Sequence, residues 1–119
     1  MQHQELFVNY CNTIKSNINE ADHHIVKQWI DNGEVFYFID VRDKDEFDQG
    51  ALPNAVHISK GWLEAKIPHL VNDLEAKIVL YCGGGNRSAI AAYNLQQMGY
   101  SHVYSMIGGY KGWVKAGLS

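Results

Sequence analysis

Cysteine and proline are scarce in this chain, with two of each among 119 residues. Two cysteines, Cys11 and Cys82, cannot build a disulfide framework or a cysteine-only zinc site. The prolines, Pro53 and Pro68, fall at expected loops or helix boundaries rather than along a linker. No internal repeat or low-complexity tract is visible. No apolar run approaches the roughly 18 residues of a membrane-spanning helix, so none is expected. Positive charge is also short: 10 Lys and Arg stand against 13 Asp and Glu, for a net charge of −3. That balance gives no electrostatic reason to expect nucleic-acid or anionic-membrane binding. The stretch Met1-Gln2-His3-Gln4-Glu5 lacks the basic and apolar regions of a signal peptide, so a cytoplasmic location is expected. Six histidines occur, His3, His23, His24, His57, His69 and His102, and none shows the spacing of a helical zinc pair.

What is present is enough for one domain with one real core, since 46% of the residues are hydrophobic. The most informative segment is Cys82-Gly83-Gly84-Gly85-Asn86-Arg87-Ser88, directly after the apolar run Ile78-Val79-Leu80-Tyr81. Such a run bounded by glycines reads as a buried strand. Ser88 to Met98 reads as a helix stopped by Gly99. A cysteine therefore ends a strand, and a glycine-rich turn leads into a helix N-terminus. Backbone N–H groups and the helix dipole favour negative charge there, which stabilises a thiolate. Glycine also permits the positive φ angles and close backbone approach that such a cradle needs.

The remaining elements follow from periodicity. Gln4 to Lys15 carries Leu6, Phe7, Tyr10, Cys11 and Ile14 at helical spacing. An edge strand is expected near Ile18. A second helix is expected from Glu20 or Ala21 to Asp31, with Asn19 as N-cap and Asn32-Gly33 as stop signal. Val35 to Ile39 reads as a buried strand, Asp43 to Phe47 as a helical turn or two, and Ala55 to Ile58 as a short strand. A helix covers much of Lys60 to Val71, with Pro68 a candidate break. Val103 to Met106 reads as the last strand, and Gly108-Gly109 opens a final helix reaching Ala116. Strands alternating with helices, apolar on both faces, predict an α/β fold: a mostly parallel five-stranded sheet with helices on both faces. Asp40 and Cys82, each ending a strong strand, then share the sheet's carboxyl edge, where such folds place their sites.

Four blocks carry a family resemblance. Phe38-Ile39-Asp40-Val41-Arg42 with Glu46-Phe47 is similar to "DVRxxxEF", and Gly50 to Ile58 to "GHIPGAINI". Cys82 to Ser88 is similar to "CxxGxRS". Met98-Gly99-Tyr100, Val103, Met106, Gly108-Gly109 and Gly112-Trp113 are similar to "GYxxVxxLxGGxxxW". Together they resemble the single-domain rhodaneses, or sulfurtransferases, over residues 18–119, leaving 1–17 as an N-terminal helical extension. Ala51 stands where the family usually has His, and Asn54 where it often has Gly.

The resemblance implies transfer of a sulfane sulfur from thiosulfate or a persulfide donor to a thiol, cyanide or protein acceptor. The sulfur passes through a persulfide on Cys82, with no metal or organic cofactor. Gly83, Gly84, Gly85, Asn86, Arg87 and Ser88 are the expected anion cradle. Arg87 would close the loop on backbone carbonyls or place charge near the donor. Ser88 would cap its helix or approach the sulfur. Asp40 would anchor a loop, and Arg42 with Glu46, four residues apart, would form an ion pair. Cys11 is either a packing residue or a resolving thiol, and Trp62 either packs or lines the pocket entrance. A loop with one cation and no lysine implies modest thiosulfate affinity and better use of a less charged persulfide.

Two other classes compete. A cysteine and an arginine around an anion cradle also suit a phosphatase or arsenate reductase. The phosphatases of this fold place five residues between Cys and Arg, whereas four separate Cys82 from Arg87. A regulatory, non-enzymatic module usually lacks the cysteine.

Overall fold

The computed structural model describes residues 3–119, so Met1 and Gln2 of the polar N-terminal stretch lie outside the described residues. The elements in order are α1 (His3–Lys15), β1 (Asn19–Asp22), α2 (His23–Asp31), β2 (Tyr37–Asp40), α3 (Lys44–Gln49) and β3 (Val56–His57), followed by α4 (Lys60–Leu70), β4 (Ile78–Tyr81), α5 (Asn86–Gln97), β5 (Val103–Ile107) and α6 (Gly109–Lys115). The strands form one sheet in the order β1-β5-β4-β2-β3, and every pairing is parallel.

β4 is central and buried along its whole length, which explains why Ile78-Val79-Leu80-Tyr81 shows no polar alternation. Its side chains still alternate between two cores. Ile78 and Leu80 pack with Leu63 and Ile67 of α4 and with Ala91, Ala92 and Leu95 of α5. Val79 and Tyr81 face the other way, toward Val26 of α2 and Trp113 of α6. Cys82 continues the alternation and belongs to the α4–α5 side. The register sets Asp40 of β2 beside Tyr81, so the ends of β2 and β4 lie level.

Some boundaries differ from the sequence reading. Asn19 to Asp22 is an edge strand on β5 rather than the start of α2, because pairing there buries Ala21. Asp22 then caps α2, its Oδ1 accepting from the His24 amide at 2.7 Å. β2 begins at Tyr37, since Val35 stays almost wholly exposed. α4 continues through Pro68, which falls in its last turn. Asn54 has φ of 65°, a left-handed conformation that Asn tolerates and Gly adopts freely. Only part of the apolar stripe on α1 is covered: Cys11 and Ile14 are buried, while Leu6, Phe7 and Tyr10 are exposed. Among the described residues, no helix is long and apolar enough to cross a membrane.

Candidate active site

Cys82 lies one residue past β4, at the carboxyl edge of the sheet, and is only 1% exposed. The Gly85 amide donates to its Sγ at 3.0 Å and the Ser88 amide at 3.3 Å. Ser88 Oγ lies 3.4 Å from the same sulfur. Of the six amides expected in the cradle, those of Gly85 and Ser88 contact the Cys82 sulfur itself. Gly85 turns the chain with φ of 109°, and Asn86 and Arg87 become the first two residues of α5. Their N–H groups run along the helix axis without an intrahelical acceptor. Ser88 does not cap α5, because Gly85 occupies that position. Its hydroxyl lies instead 2.8 Å from Ser105 Oγ on β5, and both serines are fully buried. Ser105 was not anticipated; its signal was a lone polar residue inside the strand Val103-Tyr104-Ser105-Met106-Ile107.

The other side of the loop is held by α6. The Tyr110 amide donates to the Cys82 carbonyl at 2.8 Å, and the Lys111 amide to the Gly83 carbonyl at 3.0 Å. This close docking explains Gly109. A Cβ there would strike the Cys82 carbonyl and come within 2.8 Å of the Gly83 carbonyl carbon and oxygen.

The ion pairs correct the expected pattern. Arg42 pairs with Asp40, not Glu46: Nη2 to Oδ2 is 2.8 Å, and Nε lies 3.1 Å from both carboxylate oxygens. Asp40 is fully buried and Arg42 nearly so, and a buried carboxylate left unpaired is costly. That demand outweighs an i,i+4 contact on a helix surface. Arg42 also donates to the Gly50 carbonyl at 2.6 Å and lies 4.2 Å over the Tyr110 ring. Asp40 thus anchors the turn after β2. Arg87 neither closes the loop on carbonyls nor stands free. Its Nη1 and Nη2 grip the two Glu46 oxygens at 2.8 and 3.2 Å. The Arg87 hydrogen bonds, with one from the Asp43 amide, hold the Glu46 pKa down at about 2. A cleft of about 270 Å³ lies beside the loop, lined by Arg42, Glu46, Gln49, Gly50 and Tyr110.

Cys11, 71 positions earlier in the chain, is brought against the loop at Asn86. Its Sγ lies 4.0 Å from the Asn86 carbonyl, and burial pushes its thiol pKa up. On the same helix, Lys15 Nζ donates to Asn86 Oδ1 at 2.8 Å. Trp62 is exposed on α4 with Lys66 Nζ 5.6 Å from its ring. Away from the loop, Asp22, His23 and His24 bring potential cation-ligating atoms within 4.8 Å of one another. Asp22 Oδ1 is already engaged there as the α2 cap.

The Rhodanese-like domain family model matches residues 22–116. The chain belongs to the rhodanese family. It is 30% identical over 101 residues to a sulfurtransferase of Allochromatium vinosum, covering 85% of this chain and 92% of that one. It is 35% identical over 74 residues to the thiosulfate sulfurtransferase GlpE of Coxiella burnetii, covering 62% and 67% of the two chains. The fold also matches a solved structure from Rhodopseudomonas palustris, described as a protein of unknown function and possible tyrosine phosphatase. The TM-score is 0.87 at 28% identity, over 95% of this chain and 92% of that one. In this rhodanese, the strand-end cysteine, the glycine turn and α6 form one hydrogen-bonded unit. Arg87 and Glu46 close its outer side.

Proposed function

We propose that this protein is a sulfurtransferase that carries a sulfane sulfur on Cys82. The carrying observation is the buried Sγ held by the Gly85 and Ser88 amides at the start of α5. Those donors favour an anionic sulfur over a neutral one. The first-turn N–H groups of Asn86 and Arg87 supply further donors for a second sulfur atom. The relatives named as sulfurtransferases support the same reading.

In the first step, the Cys82 thiolate attacks the outer sulfur of thiosulfate. The donor's S–S bond breaks, sulfite leaves with the bonding pair, and Cys82 carries a persulfide anion. In the second step, an acceptor attacks the terminal sulfur. Cyanide leaves as thiocyanate, or a thiol becomes a persulfide, and the Cys82 thiolate returns. No oxidant or reductant is consumed. Because Glu46 neutralises Arg87, that arginine brings no net charge to the thiosulfate dianion.

Mass spectrometry of the intact protein after incubation with thiosulfate, and separately with glutathione persulfide, tests the reading. A gain of about 32 Da, removed by cyanide and absent in Cys82→Ser, is expected. No gain with either donor would overturn it. The phosphatase reading is favoured by the described similarity to the Rhodopseudomonas palustris protein. It predicts hydrolysis of an aryl phosphate by wild type and none by Cys82→Ser. The paired Arg87 and the four-residue spacing both argue against it.

A further inference from the structure

A sulfur donor such as thiosulfate is a dianion, and it departs as another dianion. Its charge must be met outside the two amides already committed to the Cys82 sulfur. The nearby arginines do not offer it. Arg87 is gripped by both oxygens of Glu46, and Arg42 is matched by the buried Asp40. Lys15 differs. Its Nζ donates to Asn86 Oδ1 at 2.8 Å, a neutral acceptor that leaves the charge uncompensated. Among the described residues, no carboxylate is paired with it. Asn86 is the first residue of α5, where the helix adds partial positive charge of its own. The helix that carries the lysine is fixed in place. Cys11 and Ile14, on the same face of α1, are buried, and Cys11 packs on the Asn86 carbonyl.

We propose that Lys15, from the helix preceding the family-matched residues 22–116, is a specificity-determining cation that selects anionic sulfur donors at the Cys82 loop. This rests on the sulfurtransferase reading for the donor's identity, but the charge selection itself does not depend on turnover. From its seat against Asn86, the ammonium turns toward the donor's anionic end while the outer sulfur meets Cys82. Donor charge is then read by a part of the chain that the family pattern does not include.

Two ratios test this. The first is the rate of Cys82 alkylation by iodoacetate, an anion, over that by iodoacetamide, its neutral counterpart of similar size, followed by peptide mass spectrometry. Any effect on the sulfur's own reactivity enters both rates and cancels. The second is kcat/KM for thiosulfate, a dianion, over that for an aryl thiosulfonate, a monoanion that gives up its outer sulfur to Cys82 in the same way and departs as the sulfinate. Lys15→Gln removes the charge but keeps an N–H donor for Asn86, so a merely structural tie survives. Both ratios are expected to fall about tenfold in Lys15→Gln and to recover in Lys15→Arg. The wild-type ratios should also fall with added salt, and those of the Gln variant should not. An alkylation ratio unchanged in Lys15→Gln overturns the inference even if sulfur transfer proceeds. If neither donor loads sulfur while the alkylation ratio still follows the lysine charge, the sulfurtransferase reading fails and the charge selection stands.

Discussion

Replacing Gly109 with Ala tests whether α6 is docked on the Cys82 loop as tightly as its two amide bonds imply. Gly109 has φ of 57°, and a left-handed conformation costs a residue with a Cβ about 1–2 kcal/mol. The new Cβ would also press on the Cys82 and Gly83 carbonyl groups, backbone atoms that cannot rotate away. Overpacking of that kind adds about 1–3 kcal/mol. The total is about 3 kcal/mol, or a drop in Tm of about 10 °C for a domain of this size. Gly33→Ala is the control. Gly33 has φ of 73°, but its Cβ would meet nothing within 4 Å, so only the conformational part remains. Its Tm should fall by about a third to a half as much. The displaced loop would carry Cys82 off its two amides, and a shift of about 1 Å commonly costs about a hundredfold in rate. Sulfur loading by Gly109→Ala should therefore be slower by about that factor, while Gly33→Ala loads normally. Equal melting losses in the two variants, or unimpaired loading by Gly109→Ala, would refute the docking argument.

Removing Arg42 by Arg42→Met should cost about 3–5 kcal/mol in urea denaturation, because Asp40 would stay buried without its counter-charge. A loss below 1 kcal/mol would mean that Asp40 finds another partner. Glu46→Gln should release Arg87 and raise the thiosulfate-to-thiosulfonate preference several-fold; an unchanged preference would show that Arg87 does not face the donor. The Glu46 pKa is lowered to about 2, so the pair's contribution is complete above the usual carboxylate value and is lost as pH falls toward 2. A carboxyl resonance of Glu46 titrating above pH 4 would contradict that pairing. Ser105→Ala should cost about 1 kcal/mol and leave Ser88 without its strand partner, slowing sulfur loading a few-fold. Loading at the wild-type rate would make Ser105 a packing residue only.

The parts of the site that were legible in the sequence are contiguous ones. The apolar β4, the cysteine, the glycine turn and α5 lie within one stretch from Ile78 to Gln97 and needed no distant partner to be recognised. The Asp40–Arg42 pair was hidden because local spacing favours Arg42 with Glu46, while burial of Asp40 decides otherwise. Glu46 was free to reach Arg87, 41 residues later, only because Arg42 was already taken. The start of α2 was misread for a similar reason. Asn19 to Asp22 is polar enough for a helix end, and its strand character comes from pairing with β5, far along the chain. Cys11, Lys15 and Ser105 meet the loop only through the packing of α1 and β5 around α5. Local patterns cannot express that packing.

The two outer strands bear on how copies of this protein meet. β3 is two residues long, and the opposite edge, β1, is four residues carrying Glu20 and Asp22. Neither gives a neighbouring chain a long, neutral row of free backbone groups to zip onto, and acidic side chains on an edge repel a second copy of themselves. Both ends of the sheet therefore resist growth by strand addition. The exposed Leu6, Phe7 and Tyr10 make α1 an apolar surface for side-chain contacts between copies, close to the Cys82 loop.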